Sequence, residues 1–159
     1  MMLMAKAQSS AWTPVLVEPA LLETYWRHGN YWPTYGWPPV CRWFDRFDGS
    51  RPGMFNLGVA YFSTNREQQQ AVFFNNGRHR ARWLLESKAR EVVVALANEN
   101  INAAVEVGLV IRVLQQREVF DLGFELDAGA MLHRAEPGHT CAWCDFPVPG
   151  NPTGHPVGA

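Results

Sequence analysis

The chain has 159 residues, enough for one ordinary domain with a buried core, and 47% of them are hydrophobic, which excludes disorder over most of its length. Only 18% are charged and the formal net charge is -1, so the basic excess that binds duplex DNA in bulk is absent. No apolar run reaches the ~18 to 20 residues of a membrane span. The opening Met-Met-Leu-Met-Ala-Lys-Ala is too short, and its charge too late, for a secretory signal, and three cysteines do not make a disulfide framework. The expectation is a cytoplasmic protein without membrane insertion.

Aromatic residues reach 13%, and five of the seven tryptophans (Trp12, Trp26, Trp32, Trp37, Trp43) lie in the first 43 positions. Such a layer covers a core in the plain reading and forms a partner surface in the alternative one.

In chain order, residues 14–17 (Pro-Val-Leu-Val) predict a short strand. Pro19 suits the first turn of a helix running to His28, with Leu22 and Trp26 on its buried face and Gly29 as a left-handed cap. Residues 30–39 combine three prolines, Gly36 and four aromatics, which predicts an ordered aromatic loop. A second helix is expected after Pro39, stopping at Asp48 and Gly49, followed by a turn at residues 51–53. A strand interrupted by Gly58 is expected over residues 55–63. Residues 65–70 are polar and connect to a buried strand at residues 71–74, broken by Asn75, Asn76 and Gly77. A helix follows, with Ala81, Leu84 and Leu85 on one face. Residues 92–96 (Val-Val-Val-Ala-Leu) read as a central strand, apolar on both faces. Strand, turn, helix and strand together predict a βαβ-like unit. Residues 101–107 predict a helix stopped by Gly108, and residues 109–120 fit helix or strand. The C-terminal stretch from Pro137 holds five of the eleven prolines, and residues 147–159 are expected to be a flexible tail. One domain is expected over residues 1–146.

The segment at residues 74–80, Phe-Asn-Asn-Gly-Arg-His-Arg, carries the clearest chemistry. A strand delivers the backbone to Gly77, whose missing β-carbon permits a close approach. A helix starting near Arg78 points its unpaired N–H groups back at the turn and favours an anion there. Arg78, His79 and Arg80 crowd cations at the end where the helix dipole disfavours them, and an anionic ligand would offset that cost. The competing reading is a solvated basic turn whose arginines pair with nearby acids. The flanking strands and helix favour a phosphate site formed by Asn76, Gly77, Arg78, His79 and Arg80.

Residues 71–96 resemble the ParB/sulfiredoxin superfamily, whose signature is a strand, a Gly-x-His-Arg or Gly-x-x-Arg box opening a helix, and a strand leading away. More narrowly, Phe74-Asn75-Asn76-Gly77-Arg78-His79-Arg80-Ala81-Arg82-Trp83 resembles a stretch of the plasmid fertility inhibition factors, the group of the Osa, FipA and FiwA proteins. The resemblance implies an α/β (α+β) fold with a small mixed sheet and packed helices. It also implies a box that binds nucleotide phosphates, ATP or CTP, often with Mg²⁺. Gly77, His79 and Arg80 match the box position by position. Asn76 stands where many members have an acidic residue. Arg78 stands where sulfiredoxins have cysteine, so reductase chemistry does not carry over.

By this resemblance the protein is expected to be a fertility inhibition factor in a bacterial donor cell. It would block conjugative transfer through a type IV secretion system at the coupling protein, the relaxosome or the DNA substrate complex. The alternatives are a nucleotide hydrolase (ATPase) or Mg²⁺-dependent DNase of the superfamily, and a ParB-like partitioning or regulatory protein. Hydrolysis needs a general base or a metal-held water. Glu67 and Glu99 are the candidates from neighbouring segments, and no catalytic residue is assigned.

Three other groupings are weaker. Cys141 and Cys144 form a Cys-x-x-Cys that is half a zinc site at most, with His133, His139 or His155 to complete it, and no second pair stands at readable spacing. Arg42, Arg46 and Arg51 interleave with Trp43, Phe44 and Phe47, as in single-strand binders, but Asp45 and Asp48 offset the charge and an amphipathic helix is the better expectation. Asn98, Asn100 and Asn102 suggest a strand exit and a helix cap.

Overall fold

The computed structural model describes residues 1–30, 44–45 and 53–125. In chain order they form β1 (Met2–Lys6), β2 (Trp12–Val17), α1 (Pro19–His28), β3 (Phe44–Asp45), β4 (Met54–Asn56), β5 (Val59–Thr64), β6 (Gln70–Asn76) and α2 (Arg78–Glu86). Then come β7 (Val92–Ala97), a 3-10 turn (Asn98–Asn100), α3 (Ile101–Glu106), β8 (Val110–Val113) and β9 (Val119–Asp121). The fold is α+β, with two mixed sheets and three short helices in place of the single small sheet expected. The larger sheet has the order β6-β5-β7-β2-β8. The smaller one is β4-β1-β9, extended beyond β4 by the two-residue β3.

Every residue of β7 is buried, as its run of valines predicts for a strand with neighbours on both sides and cover on both faces. The strand expected over residues 55–63 is two strands in different sheets. Leu57 donates its N–H to Lys6 of β1 (2.9 Å), while the Gly58 carbonyl accepts from Ala95 of β7 (2.8 Å). The chain thus changes sheets within two residues. One hydrophobic cluster joins both layers, with Leu3, Phe55 and Phe120 from the smaller sheet and Val15, Val94 and Leu96 from the larger.

The βαβ expectation fails for a topological reason. β6 pairs antiparallel with β5, and β5 pairs parallel with β7, so β6 runs opposite to β7 with β5 between them. The parallel partner of β7 is β5, and the crossover includes both β6 and α2.

Helix α1 forms where Pro19 predicts it, with Glu18 accepting from the Leu21 N–H (2.7 Å) and Leu22 and Trp26 fully buried. Trp26 lies 4.3 Å from Phe74, centroid to centroid, so it serves the core and not a partner surface. Gly29 is not left-handed, since its φ is -92°. Glycine is needed there because a β-carbon would land on the Val72 carbonyl oxygen of β6. Just beyond, Asn30 closes the β6 edge: its Nδ2 donates to the Phe74 carbonyl (2.8 Å) and its Oδ1 accepts from the Phe74 N–H (3.1 Å).

Several other expectations change. The opening segment, read only as too short for a signal, is β1, the strand between β4 and β9. Of the helix expected after Pro39, only Phe44 and Asp45 are described, and they are extended, paired with Phe55 and Met54. The ambiguous residues 109–120 become β8 and β9. Gly108, at φ 82°, ends the segment after α3 as expected. Asn100 does not cap α3 with its side chain; its Oδ1 accepts from the Phe62 N–H (3.0 Å) and ties the turn to β5. Asn98 likewise bridges Thr13 and Ser10. Most of the aromatic loop, the turn before Gly53 and the tail at residues 147–159 lie outside the described residues.

Candidate functional site

Strand β6 does not break at Asn75 but continues through Asn76, and α2 starts immediately after Gly77. Gly77 is the helix N-cap in a left-handed conformation, φ 77° and ψ 27°. A β-carbon at Gly77 would lie 2.6 Å from Gly58 Cα and 2.5 Å from Arg80 Nη2. Both the torsion and the contact therefore demand glycine. Gly58 is the other half of the close approach, since a β-carbon there would lie 2.7 Å from the Gly77 oxygen.

The helix end has few internal partners. The first turn-closing bond runs from the Ala81 N–H to the Gly77 carbonyl (3.2 Å), and no side chain caps the helix. Asn76 Oδ1 instead accepts from the Gly77 N–H (2.8 Å). The N–H groups of Arg78 and Arg80 precede Ala81, the first donor of the helix ladder, and such a helix end stabilises an anion.

Arg78 is exposed, and no acid pairs with it among the described residues. Arg80 is half-buried and folds back over Gly77, with Nη2 3.5 Å from the Leu57 carbonyl. Its Nε is buried without a hydrogen-bond partner among the described residues. Burial pushes the Arg80 guanidinium below its ordinary pKa. A cation so placed, with no carboxylate beside it among the described residues, lacks from them the compensation that buried charges normally have. By contrast Arg82, one helical turn on from Arg78, pairs with Glu86 (2.6 Å). Arg82 thus has an acid partner, whereas Arg78 is solvated, as the solvated-turn alternative expects, and Arg80 is half-buried without an acid partner among the described residues. His79 is half-buried at the same helix end.

The structure brings Asn76, Gly77, Arg78, His79 and Arg80 together as consecutive residues of one strand-to-helix junction. It does not bring Glu67 or Glu99 to them. Glu67 sits in the hairpin turn at the opposite end of β6. Glu99 belongs to the turn that Asn100 ties to Phe62, beyond the level of Val59, which pairs with Asn76. No cluster of three or more His, Cys, Asp or Glu residues with metal-holding geometry occurs among the described residues. The donor set at the junction, an amide and three basic side chains, fits phosphate oxygens. It does not fit a protein-held Mg²⁺, which takes oxygen ligands, chiefly carboxylates. Cys141, Cys144, His133, His139, His155, Arg42, Arg46 and Arg51 lie outside the described residues.

One contributor escapes the sequence reading, and a second is in it only as the end of a motif, without a structural role. Gly58 was read only as a strand interruption, although its contact with Gly77 shapes the junction. Trp83 is buried and stacks on Phe55 (5.9 Å, 27°), which fixes α2 against the smaller sheet. The signal for Trp83 was present, since it follows Arg80 at helical i+3 spacing. No helix among the described residues is long and apolar enough to cross a membrane. Compared with protein-family models, curated proteins and solved structures, the chain matches none.

Proposed function

We propose that the chain is a phosphate-recognising binding protein of ParB/sulfiredoxin type that acts as a fertility inhibition factor. It would occupy the coupling protein of a type IV secretion system, or the DNA-bearing complex delivered to it, and obstruct conjugative transfer. The observation that carries the phosphate site is the pairing of a left-handed Gly77 N-cap with Arg78 and Arg80, two arginines without acid partners among the described residues. The transfer role rests on the resemblance of residues 74–83.

A binder is favoured over a hydrolase or nuclease because catalysis needs a base or metal-held water, and among the described residues neither candidate base, Glu67 or Glu99, stands at the junction. A nucleotide phosphate, from ATP or CTP, is the ligand class this donor set suits. The test of the transfer role is a mating assay. Donor cells making the protein should export a co-resident plasmid at least about tenfold less often, and unchanged transfer of every plasmid tried would sink the reading. Hydrolysis of nucleotide or DNA by the purified protein, abolished in Arg80→Ala, would replace the binder with the enzyme.

A further inference from the structure

Asn76 and Gly77 form the only Asn-Gly pair in the 159 residues. The Gly77 nitrogen donates to Asn76 Oδ1 (2.8 Å) and to no main-chain acceptor among the described residues. Oδ1 is one C=O bond from Cγ, so this nitrogen stands within about 4 Å of the amide carbon. Other asparagines are held by distant segments: Asn30 by Phe74, Asn65 by His28, Asn98 by Thr13 and Asn100 by Phe62. Asn76 is exposed, and among the described residues its amide bonds only the nitrogen that follows it. Gly77 has no β-carbon to obstruct that nitrogen, and its left-handed torsion keeps it outside the helix ladder. The Arg80 guanidinium lies against Gly77, and a cation there favours loss of the N–H proton.

We propose that Asn76 is a site of spontaneous deamidation whose products switch the phosphate junction off. The exposed amide turns about its Cβ–Cγ bond, and the Gly77 nitrogen, its proton lost to hydroxide, attacks Asn76 Cγ. An N–Cγ bond forms, the Cγ–Nδ2 bond breaks, and Nδ2 takes a proton from water and leaves as ammonia. Water then opens the five-membered succinimide. Cleavage of the new N–Cγ bond gives aspartate, and cleavage of the former peptide bond gives isoaspartate. The balance is one amide and one water giving one carboxylate and ammonia, with no change of oxidation state. The consequence for binding rests on the phosphate reading above. A carboxylate at position 76 accepts from the Gly77 N–H as the amide oxygen does now, and the helix N-terminus stabilises it. It then sits in the positive field that an anionic ligand uses, and repels that ligand. Isoaspartate also lengthens the main chain by one carbon beside Gly77, whose contact with Gly58 fixes where α2 starts.

The test is ageing of the full chain in mildly alkaline buffer free of phosphate and nucleotide. The tryptic peptide at residues 67–78 is followed by mass spectrometry, with fresh protein digested in parallel. Fragmentation should place the replacement of NH2 by OH at Asn76 and not at Asn75, at a rate within about tenfold of a synthetic peptide of the same residues. An unchanged Asn76, or conversion slower than that, overturns the proposal, because the fold then locks the amide away from the nitrogen. Asn76→Asp should bind inorganic phosphate and ATP at least about tenfold more weakly than fresh wild type, read from the amide shifts of residues 77–80. Equal binding by the two overturns the switch. If Asn76 converts but fresh wild type binds neither ligand, the modification site stands and the phosphate reading falls. If fresh wild type binds and Asn76 persists through ageing, the phosphate reading stands and this proposal falls.

Discussion

The two edges of the larger sheet are finished in opposite ways. At β6 the chain closes its own edge: Asn30 pairs with both main-chain groups of Phe74, and His28 meets the Gln70 carbonyl through Nδ1 (3.1 Å). At β8 no further strand pairs among the described residues, and the edge is short and bulged, with Ile111 and Val113 exposed. The difference teaches where rigidity is spent. The closed edge leads directly into Gly77 and α2, so the junction that presents Arg78 and Arg80 leaves a strand held on both sides. The proposed anion site would gain from that, because ordering it on binding would cost affinity. The β8 edge leads into no such junction among the described residues.

Substitutions can break this contrast in order of effect. Gly29→Ala places a β-carbon on the Val72 carbonyl and should force α1 from β6, costing about 3 kcal/mol or more in denaturant unfolding. Gly77→Ala meets Gly58 Cα and carries a left-handed torsion, and should cost about 2 to 4 kcal/mol, with amide shifts centred on the junction. Asn30→Ala leaves the Phe74 N–H and carbonyl unpaired. It should cost about 1 to 3 kcal/mol and raise β6 amide exchange toward that of β8, making the two edges alike. Arg80→Met removes a half-buried cation that lacks an acid partner among the described residues, so stability should stay within about 1 kcal/mol of wild type while phosphate binding is lost.

Acid should act on the segment from the end of β8 through β9. The Glu118 carboxyl is held below its ordinary pKa by its hydrogen bond from Arg112 and by the Gln115 N–H. The Asp121 carboxyl is held low first by the Gly123 N–H, with Arg90 adding to it. A depressed carboxylate pKa means these ties are intact above the usual carboxylate range and are lost as pH falls through the lowered value. Amide protection at residues 114–123, taken relative to the intrinsic exchange rate at each pH, should therefore fall in acid below about pH 4, while the Asn30–Phe74 bonds, which carry no titrating group, persist.

The elements with strong local signals were legible in the sequence: α1 from Pro19 and its 3.6-residue spacing, β7 from its unbroken apolar run, and the junction from its glycine and basic residues. Pairing was not legible. Residues 55–63 read as one strand because nothing local marks a change of sheet, and only the contacts of Leu57 with β1 and Gly58 with β7 reveal it. Gly29 was assigned to the right place for the wrong reason, since its need is space against Val72, which periodicity cannot show. The antiparallel course of β6 relative to β7 depends on β5 inserting between them, a long-range choice. The junction itself was legible as a list of residues, but that no acid among the described residues pairs with Arg78 or Arg80 required coordinates.

The central claim is that residues 76–80 hold a phosphate. Titration of wild type with inorganic phosphate and with ATP, followed through backbone amide shifts, tests it most directly. The account predicts saturating shifts at Gly77, Arg78, His79 and Arg80 that vanish in Arg80→Met while the Leu96 and Val113 amides stay still. Amides at residues 76–80 that do not move at millimolar ligand would contradict it.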